Sequence, residues 1–365
     1  MLTPNYLENV SNELVELYSQ LEIDIITDMA RRVKRLGTIT EATEWQARMY
    51  QEAGLIRGNV NKILAQYDKT VRREITKAFK DSIEKSVKSD NFIFSAGGYT
   101  PTQASEQAIE AAIDKTYGRL KNLTMTTAST AEQQFIQKAT QAYIRVSSGA
   151  FDYDKSYRMA INELAAQNIY TVEYNNGKVI KRSIEGAVRA NILTGINQTA
   201  TQITKQNCEL LGVDLVEVSA HSGARPSHAV WQGKIYSLTG KTKGYPLFAE
   251  CHPGEADGIG GVNCRHSYYP YTGGEAHYTS KDLEKLDSRE FTYNGKKYTE
   301  YEAEQIQRGI ERKIRKYKRV FEANKETGYY DISANNKIKQ WQAEARSFIK
   351  QTGLTRDYVR EQIGK

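Results

Sequence analysis

The sequence predicts an α+β chain dominated by helices, and three observations carry that expectation. Through the first half, apolar residues recur at three- and four-residue steps, as in Leu7, Val10, Leu14, Leu17, Leu21 and Ile25, which places them on one helical face. Two Asn-Gly pairs, Asn176-Gly177 and Asn294-Gly295, sit between short runs rich in β-branched or aromatic residues and mark tight hairpins. Between residues 218 and 274 the helical pattern stops, and glycines, prolines, histidines and cysteines crowd together. At 365 residues the chain has room for two or three domains. The expected division is a helical N-terminal region over 1–180, a small loop-rich α+β domain over 181–278, and a basic helical C-terminal region over 279–365.

Residues 4 to about 90 read as two or three long helices. Thr40-Glu-Ala-Thr43 begins a segment whose apolar side is supplied by Trp45, Met49, Leu55, Ile56, Val60, Ile63, Leu64 and Tyr67. Ile75, Phe79 and Ile83 continue the pattern through a helix over 71–87. Gly97-Gly98-Tyr-Thr-Pro101 is a break. Helices are expected at 102–122, 130–148 and 154–168, with the polar run at 124–130 (TMTTAST) as a connection and Asp152 near the start of the last. The first hairpin spans 171–182, and a helix over 184–211 follows, with Ile192, Ile196 and Ile203 on its apolar side. Leu215-Val-Glu-Val-Ser-Ala220 is a strand candidate running into His221. After the second hairpin at 291–298 come a helix over 299–325 and shorter helices near 334–351 and 355–363.

Apolar residues make up 39% of the chain and charged residues 26%, as in helical proteins that remain in water. No run of 18 apolar residues is present, so no membrane span is expected, and the acidic, amphipathic start does not resemble a signal peptide. Three widely spaced cysteines do not form a secreted disulfide framework, which suggests synthesis in a reducing cytoplasm. Cys208, inside an amphipathic pattern, reads as a small buried apolar residue. The net charge of +7 is concentrated at the end: from Thr279 onward there are 20 Lys and Arg against 14 Asp and Glu. Its densest part is 308–319, where Arg308, Arg312, Lys313, Arg315, Lys316, Lys318 and Arg319 accompany a single glutamate. Such a helix is a candidate for sequence-independent phosphate contacts, as well as for a solvated face or an acidic protein partner.

Four of the five histidines, two of the three cysteines and four of the six prolines fall within 218–274. His221, His228, Cys264 and His266 are candidate ligands for a transition metal, since imidazole and thiolate suit zinc and four such groups close a tetrahedral structural site. Their spacing, His-x6-His and then Cys-x-His 36 residues later, is not that of a standard zinc finger. Cys251-His252 offers substitutes, and the alternative is a set of hydrogen-bonded histidines that tie loops around a buried thiol. Gly258-Ile-Gly-Gly261 lacks the lysine and helix of a phosphate loop and reads as a turn that returns 263–266 to the first histidines. The sequence carries neither the HExxH pattern of a metalloprotease nor a GxSxG elbow. Arg225 and Arg265 can hold phosphate, or carboxylates and carbonyls within a closed loop core.

The segment His221-Ser-Gly-Ala-Arg-Pro-Ser-His228, Trp231-Gln-Gly233, Gly261-Val-Asn-Cys-Arg-His266 and Pro270-Tyr-Thr-Gly273 resembles the signature of the phage minor capsid protein 2 family, related to Mu-type and SPP1-type head morphogenesis proteins. The resemblance covers about 180–275. It implies structural roles for His221, Arg225, Pro226, His228, Trp231, Gly233, Asn263, Cys264, Arg265 and His266, and no catalytic residue. It further implies a minor head protein inside the virion near the portal vertex, made in the bacterial host. Portal, capsid or scaffold proteins are the expected partners, with packaged DNA against the basic tail, and some relatives affect packaging or DNA exit. The competing expectations are a metal-dependent hydrolase or nuclease, with His221, His228, Cys264 and His266 around the metal and Glu255 or Asp257 beside it to activate water, and a standalone DNA-binding protein.

Overall fold

The computed structural model describes residues 2–37, 42–175 and 178–364. The Asn176-Gly177 turn and Thr40-Glu41 lie outside the described residues. The helices are α1 (Pro4–Asn9), α2 (Asn12–Arg35), α3 (Ala42–Ala96), α4 (Glu106–Ser147), α5 (Tyr153–Ala166), α6 (Ile184–Leu211), α7 (Pro226–Ala229), α8 (Ser280–Asp287), α9 (Glu300–Glu326) and α10 (Ile332–Thr352). The strands are β1 (Tyr170–Asn175), β2 (Lys178–Ser183), β3 (Leu215–Val218), β4 (Ile235–Ser237), β5 (Tyr268–Pro270), β6 (Glu290–Tyr293) and β7 (Lys296–Thr299). With 67% of the chain helical and only short strands, the architecture is a predominantly helical α+β one. Two compact units are present, each assembled from separated stretches of chain. One comprises Met1–Glu13, Arg72–Arg119 and Arg189–Gln305; the other comprises Leu14–Val71, Leu120–Val188 and Ile306–Lys365. The divisions at 180 and 278 run along the chain, whereas these units gather segments from its beginning, middle and end.

The unit containing Leu14–Val71 is a helical assembly with one hairpin. Leu14, Leu21, Ile25, Met29 and Val33 form the buried face of α2, as their spacing requires. On α3, Trp45, Met49, Ile56 and Val60 are buried, and Trp45 stacks on Tyr143 at 4.7 Å while its indole N–H donates to Tyr157 Oη at 3.0 Å. Leu55, expected on the same side as Ile56, is 52% exposed, because neighbouring helical residues point about 100° apart. Asp152 caps α5 by accepting from Lys155 N at 2.8 Å. Strands β1 and β2 pair antiparallel with Asn175 opposite Lys178.

Two expected boundaries are corrected here. The polar run at 124–130 is no connection: α4 passes through it without interruption. Its threonine hydroxyls fold back onto the preceding turn, Thr124 Oγ1 to Lys121 O at 2.6 Å and Thr127 Oγ1 to Leu123 O at 2.9 Å, so the side chains satisfy themselves without breaking the helix. The helix expected at 355–363 is only a short 3-10 turn at Val359–Glu361. Asp357 Oδ1 accepts from Val359 N, and Arg356 forms a two-pronged pair with Glu361 at 2.6 and 2.7 Å, which fixes this end in a non-helical turn.

The basic run of α9 is divided between buried, half-buried and exposed positions. Arg319 is buried, pairing with the equally buried Glu22 at 3.7 Å and donating to Ala165 O and Asn168 Oδ1. Glu22 accepts from Ile169 N at 2.9 Å; burial pushes its pKa up, and Arg319 pulls it back. Arg315 pairs with Glu185 at 3.0 Å and also donates to the Arg360 carbonyl; Lys318 reaches Gln362 Oε1 at 2.9 Å. Lys313 lies over the Trp341 ring at 5.9 Å, and Lys316 over that of Tyr317 at 5.6 Å. Arg308, Arg312 and Lys313 complete the run, and only Arg312 and Lys313 of the seven are exposed. Two of the seven cations, Arg315 and Arg319, are thus paired with carboxylates inside this unit.

The other unit holds the three-stranded antiparallel sheet, in the order β4-β3-β5, with Val216 opposite both Tyr236 and Pro270. Phe94, Cys208, Val213, Val216, Val218, Tyr236, Phe248, Cys251, Ile259 and Tyr268 pack into one core cluster beneath it. Cys208 is fully buried there, in the apolar role expected of it. Strands β6 and β7 form the second hairpin, with Asn294 and Gly295 at φ of 50° and 76°, both in the left-handed region that the turn needs. Asp90 of α3 is buried beside this core; Thr204 Oγ1 donates to its Oδ2 at 2.5 Å, while Oδ1 has no hydrogen-bond partner among the described residues. Burial raises its pKa to about 7, and the Thr204 hydrogen bond opposes that.

Two outcomes follow. Arg319→Ala leaves Glu22 buried without its cation and should cost about 3–5 kcal/mol in urea unfolding, whereas Arg312→Ala on the exposed side of the same helix should stay within about 0.5 kcal/mol. Asp90 binds its proton more tightly folded than unfolded, so its contribution makes stability fall as pH rises from the ordinary carboxylate range through about 7. Asp90→Asn should therefore flatten the stability profile, gaining about 1–3 kcal/mol over the natural chain at pH 8 and little at pH 4, read by thermal unfolding across that range.

Candidate functional site

The sheet explains how residues 45 positions apart meet. His221 follows β3 and His266 precedes β5; because these strands are antiparallel neighbours, the end of one lies beside the start of the other. Ser219 N donates to Ser267 O at 2.9 Å and extends the pairing towards the site. The His221 and His266 rings then pack at 4.5 Å between centroids. Pro226 opens α7 at its first turn, where a missing N–H costs nothing, and α7 carries His228 inward.

The loop before β5 folds back on itself tightly. Ile259 N donates to Cys251 O and Val262 N to Ala256 O, both at 2.9 Å. A Cβ at Gly258 would stand 1.7 Å from His252 O, and one at Gly261 would be 2.6 Å from the carbonyls of Glu255 and Ala256. Only glycine permits that approach. Asn263 adopts φ of 58°, a conformation asparagine tolerates better than most residues, and the chain turns to deliver Cys264.

At the centre Cys264 Sγ lies 3.5 Å from His228 Nδ1 and 3.6 Å from His266 Nδ1. His228, Cys264 and His266 are buried at 2%, 3% and 1% exposure, and their three ligand-type atoms fall within 4.8 Å of one another. The far nitrogen of each ring meets an oxygen: His228 Nε2 with Asp257 O at 2.7 Å, His266 Nε2 with Gln232 Oε1 at 3.1 Å. His221 stands beside this trio, with Nδ1 2.7 Å from Ser222 O. Burial lowers the pKa of all three histidines, with the charge of Arg265 next for His221, which falls to about 4. Burial raises that of the Cys264 thiol.

The surrounding signature residues hold this arrangement. Arg225 donates to Val262 O at 3.1 Å. Arg265 pairs with Glu8 at 2.6 Å and Glu304 at 3.4 Å and donates to Gly223 O, so both arginines are occupied by carbonyls and carboxylates of their own unit. Trp231 packs against His228 at 4.7 Å between centroids. Gly233 has φ of 63° and lies against Leu283 and Tyr278, where a Cβ would crowd both. The proposed substitutes do not join: Cys251 is buried beside Tyr236 in the core cluster, and the His252 side chain is 58% exposed, facing Glu255.

Two residues central to the site were not singled out from the sequence. Asn197, fully buried on α6, donates through one amide to Cys264 O at 3.2 Å and His266 O at 2.7 Å. Gln232 accepts from His221 N at 2.7 Å as well as facing His266. A polar amide on the apolar side of α6, beside Ile196, was the signal for the first; its position between Trp231 and Gly233 was the signal for the second.

The profile of the family described as Phage minor capsid protein 2 matches residues 2–350. A protein named Structural protein from Lactococcus phage LL-H is 30% identical over 191 residues, which cover 50% of this chain and 48% of that protein. A second, also named Structural protein, from Lactococcus phage mv4, is 32% identical over 122 residues, or 33% of this chain and 92% of that protein. The chain thus spans about half the length of the LL-H relative. No solved structure matches it. Matched along nearly all of its length, and with the signature residues gathered into one interlocked site, the chain belongs to the phage minor capsid protein 2 family.

Proposed function

We propose that this chain acts by binding, as a minor structural subunit of a tailed-phage or prophage head that sits inside the capsid at the portal vertex and takes part in head assembly. The observation that carries the reading is the use made of the signature residues. Arg225, His228, Gln232, Cys264, Arg265 and His266 all turn their polar atoms onto other parts of the same unit, as a fastening does, and the three central side chains are at most 3% exposed. Turnover of a phosphodiester or peptide needs a substrate to reach such groups, so this burial favours a scaffold over a hydrolase or nuclease. Family membership supports a place in the phage particle, among other phage structural proteins.

Portal contact is the finer part of the proposal, together with roles in packaging or DNA exit. Among the described residues no helix is long and apolar enough to cross a membrane, and several large apolar side chains are exposed, including Phe92 at 79%, Leu210 at 76%, Ile332 at 65% and Tyr358 at 63%. These suit partner surfaces in a crowded assembly. Contact with packaged DNA, on this reading, falls to Arg312 and Lys313, since Arg315 and Arg319 are already paired with carboxylates.

Co-expression with the portal protein of the same genome tests the placement. The expected result is a complex that persists through size-exclusion chromatography, and cross-links from this chain to the portal in purified heads. A chain that enters heads but cross-links only to the shell would overturn the portal assignment. A chain absent from purified heads would overturn the structural role itself.

A further inference from the structure

The His228–Cys264–His266 trio presents more lone pairs than protons. Asp257 O is a backbone carbonyl and can only accept, so His228 must carry its proton on Nε2. Gln232 Oε1 receives the backbone N–H of His221, which fixes the orientation of that amide and makes it an acceptor for His266 too. Both rings therefore turn an unprotonated Nδ1 towards Cys264 Sγ, at 3.5 and 3.6 Å. A thiol has one proton to give. One nitrogen lone pair is left facing sulfur among side chains at most 3% exposed, an arrangement that costs free energy unless a cation takes the place of the missing proton.

The distances meet a further requirement. Zinc–sulfur and zinc–imidazole bonds of about 2.3 and 2.0–2.1 Å, opened to the tetrahedral angle, separate sulfur from nitrogen by about 3.6 Å. The two sulfur–nitrogen distances here are 3.5 and 3.6 Å. The carbonyl partners of the far ring nitrogens are the outer contacts that hold histidine ligands in their tautomer and orientation.

We propose that His228 Nδ1, Cys264 Sγ and His266 Nδ1 bind one zinc-class transition-metal ion as a buried structural centre, with His221 as the side chain available for the fourth position. His221 Nδ1 is taken up by Ser222 O, which leaves Nε2 as its free lone pair. Binding releases the Cys264 proton to solvent and makes a thiolate–metal bond, with no change of oxidation state. The ion pins α7 to the loop that precedes β5, closing a segment of 36 residues that holds few regular elements of its own. The inference is independent of where in the virion the chain resides.

Cobalt(II) replacement on the full-length protein tests it, because tetrahedral Co(II) absorbs strongly in the visible and a cobalt–thiolate bond adds a charge-transfer band in the near ultraviolet. The protein purified without chelator should contain close to one zinc per chain. After removal of that metal it should take up one Co(II), show both absorptions, and lose them on addition of equimolar Zn(II). Cys264→Ser should abolish the charge-transfer band, and Cys251→Ser, at the buried thiol outside the trio, should retain it. Failure of the natural chain to retain Co(II), or retention with weak octahedral absorption and no thiolate band, would overturn the proposal without recourse to any variant. So would a thiolate band that survives Cys264→Ser.

Discussion

Asn197 holds the candidate site in register. Its side-chain amide, fully buried on α6, donates to the carbonyls of Cys264 and His266, two residues apart on a loop without regular structure. A backbone turn with its carbonyls buried needs donors, and here a helix supplies them from one rigid side chain. The histidine contacts depend on that position. Were the 264–266 turn to shift by an ångström, Sγ would leave both imidazoles and His266 would leave Gln232.

Around this point the protein uses polar groups in two different ways. In the sheet-bearing unit burial lowers the affinity of the site's histidines for protons, and Arg225 and Arg265, stationed nearby, are satisfied by carbonyls, Glu8 and Glu304. In the helical unit charge is buried and paired instead, with Arg319 against Glu22 and Arg315 against Glu185. Buried ion pairs add little net stability, but they discriminate strongly against arrangements that separate them. Both devices specify geometry, the property a subunit needs when it must present fixed surfaces to neighbours.

Asp90 shows the cost of burying a carboxyl that forms no ion pair among the described residues. Its single hydroxyl partner does not compensate for lost water, and the carboxyl retains a proton to about pH 7. The glycine-dependent loop illustrates the same constraint in steric terms. Gly258 and Gly261 accept backbone oxygens at distances no side chain allows, which is how so compact a return to the first histidines is made.

Much of the architecture was legible along the chain because it rests on local rules. The 3.6-residue period of α2, the Asp152 cap and the Asn294-Gly295 turn each need only neighbouring residues to be recognised. The clustering of His228, Cys264 and His266 was legible as composition. Their convergence was not, since it depends on β3 and β5 being antiparallel neighbours and on an amide 67 residues before Cys264. Local propensity misled at the 124–130 threonines, whose hydroxyls bond back into α4, and at 355–363, where Asp357 and the Arg356–Glu361 pair stabilise a turn instead. It also left the destinations of the α9 cations open. What the sequence by itself determined was most of the helical segments, the Asn294-Gly295 turn and where the unusual chemistry lies, because these are properties of residues within a few positions of one another. Only the tertiary structure decided that Arg319 neutralises Glu22 and that two imidazole lone pairs face one sulfur, because those pairings join residues distant in sequence.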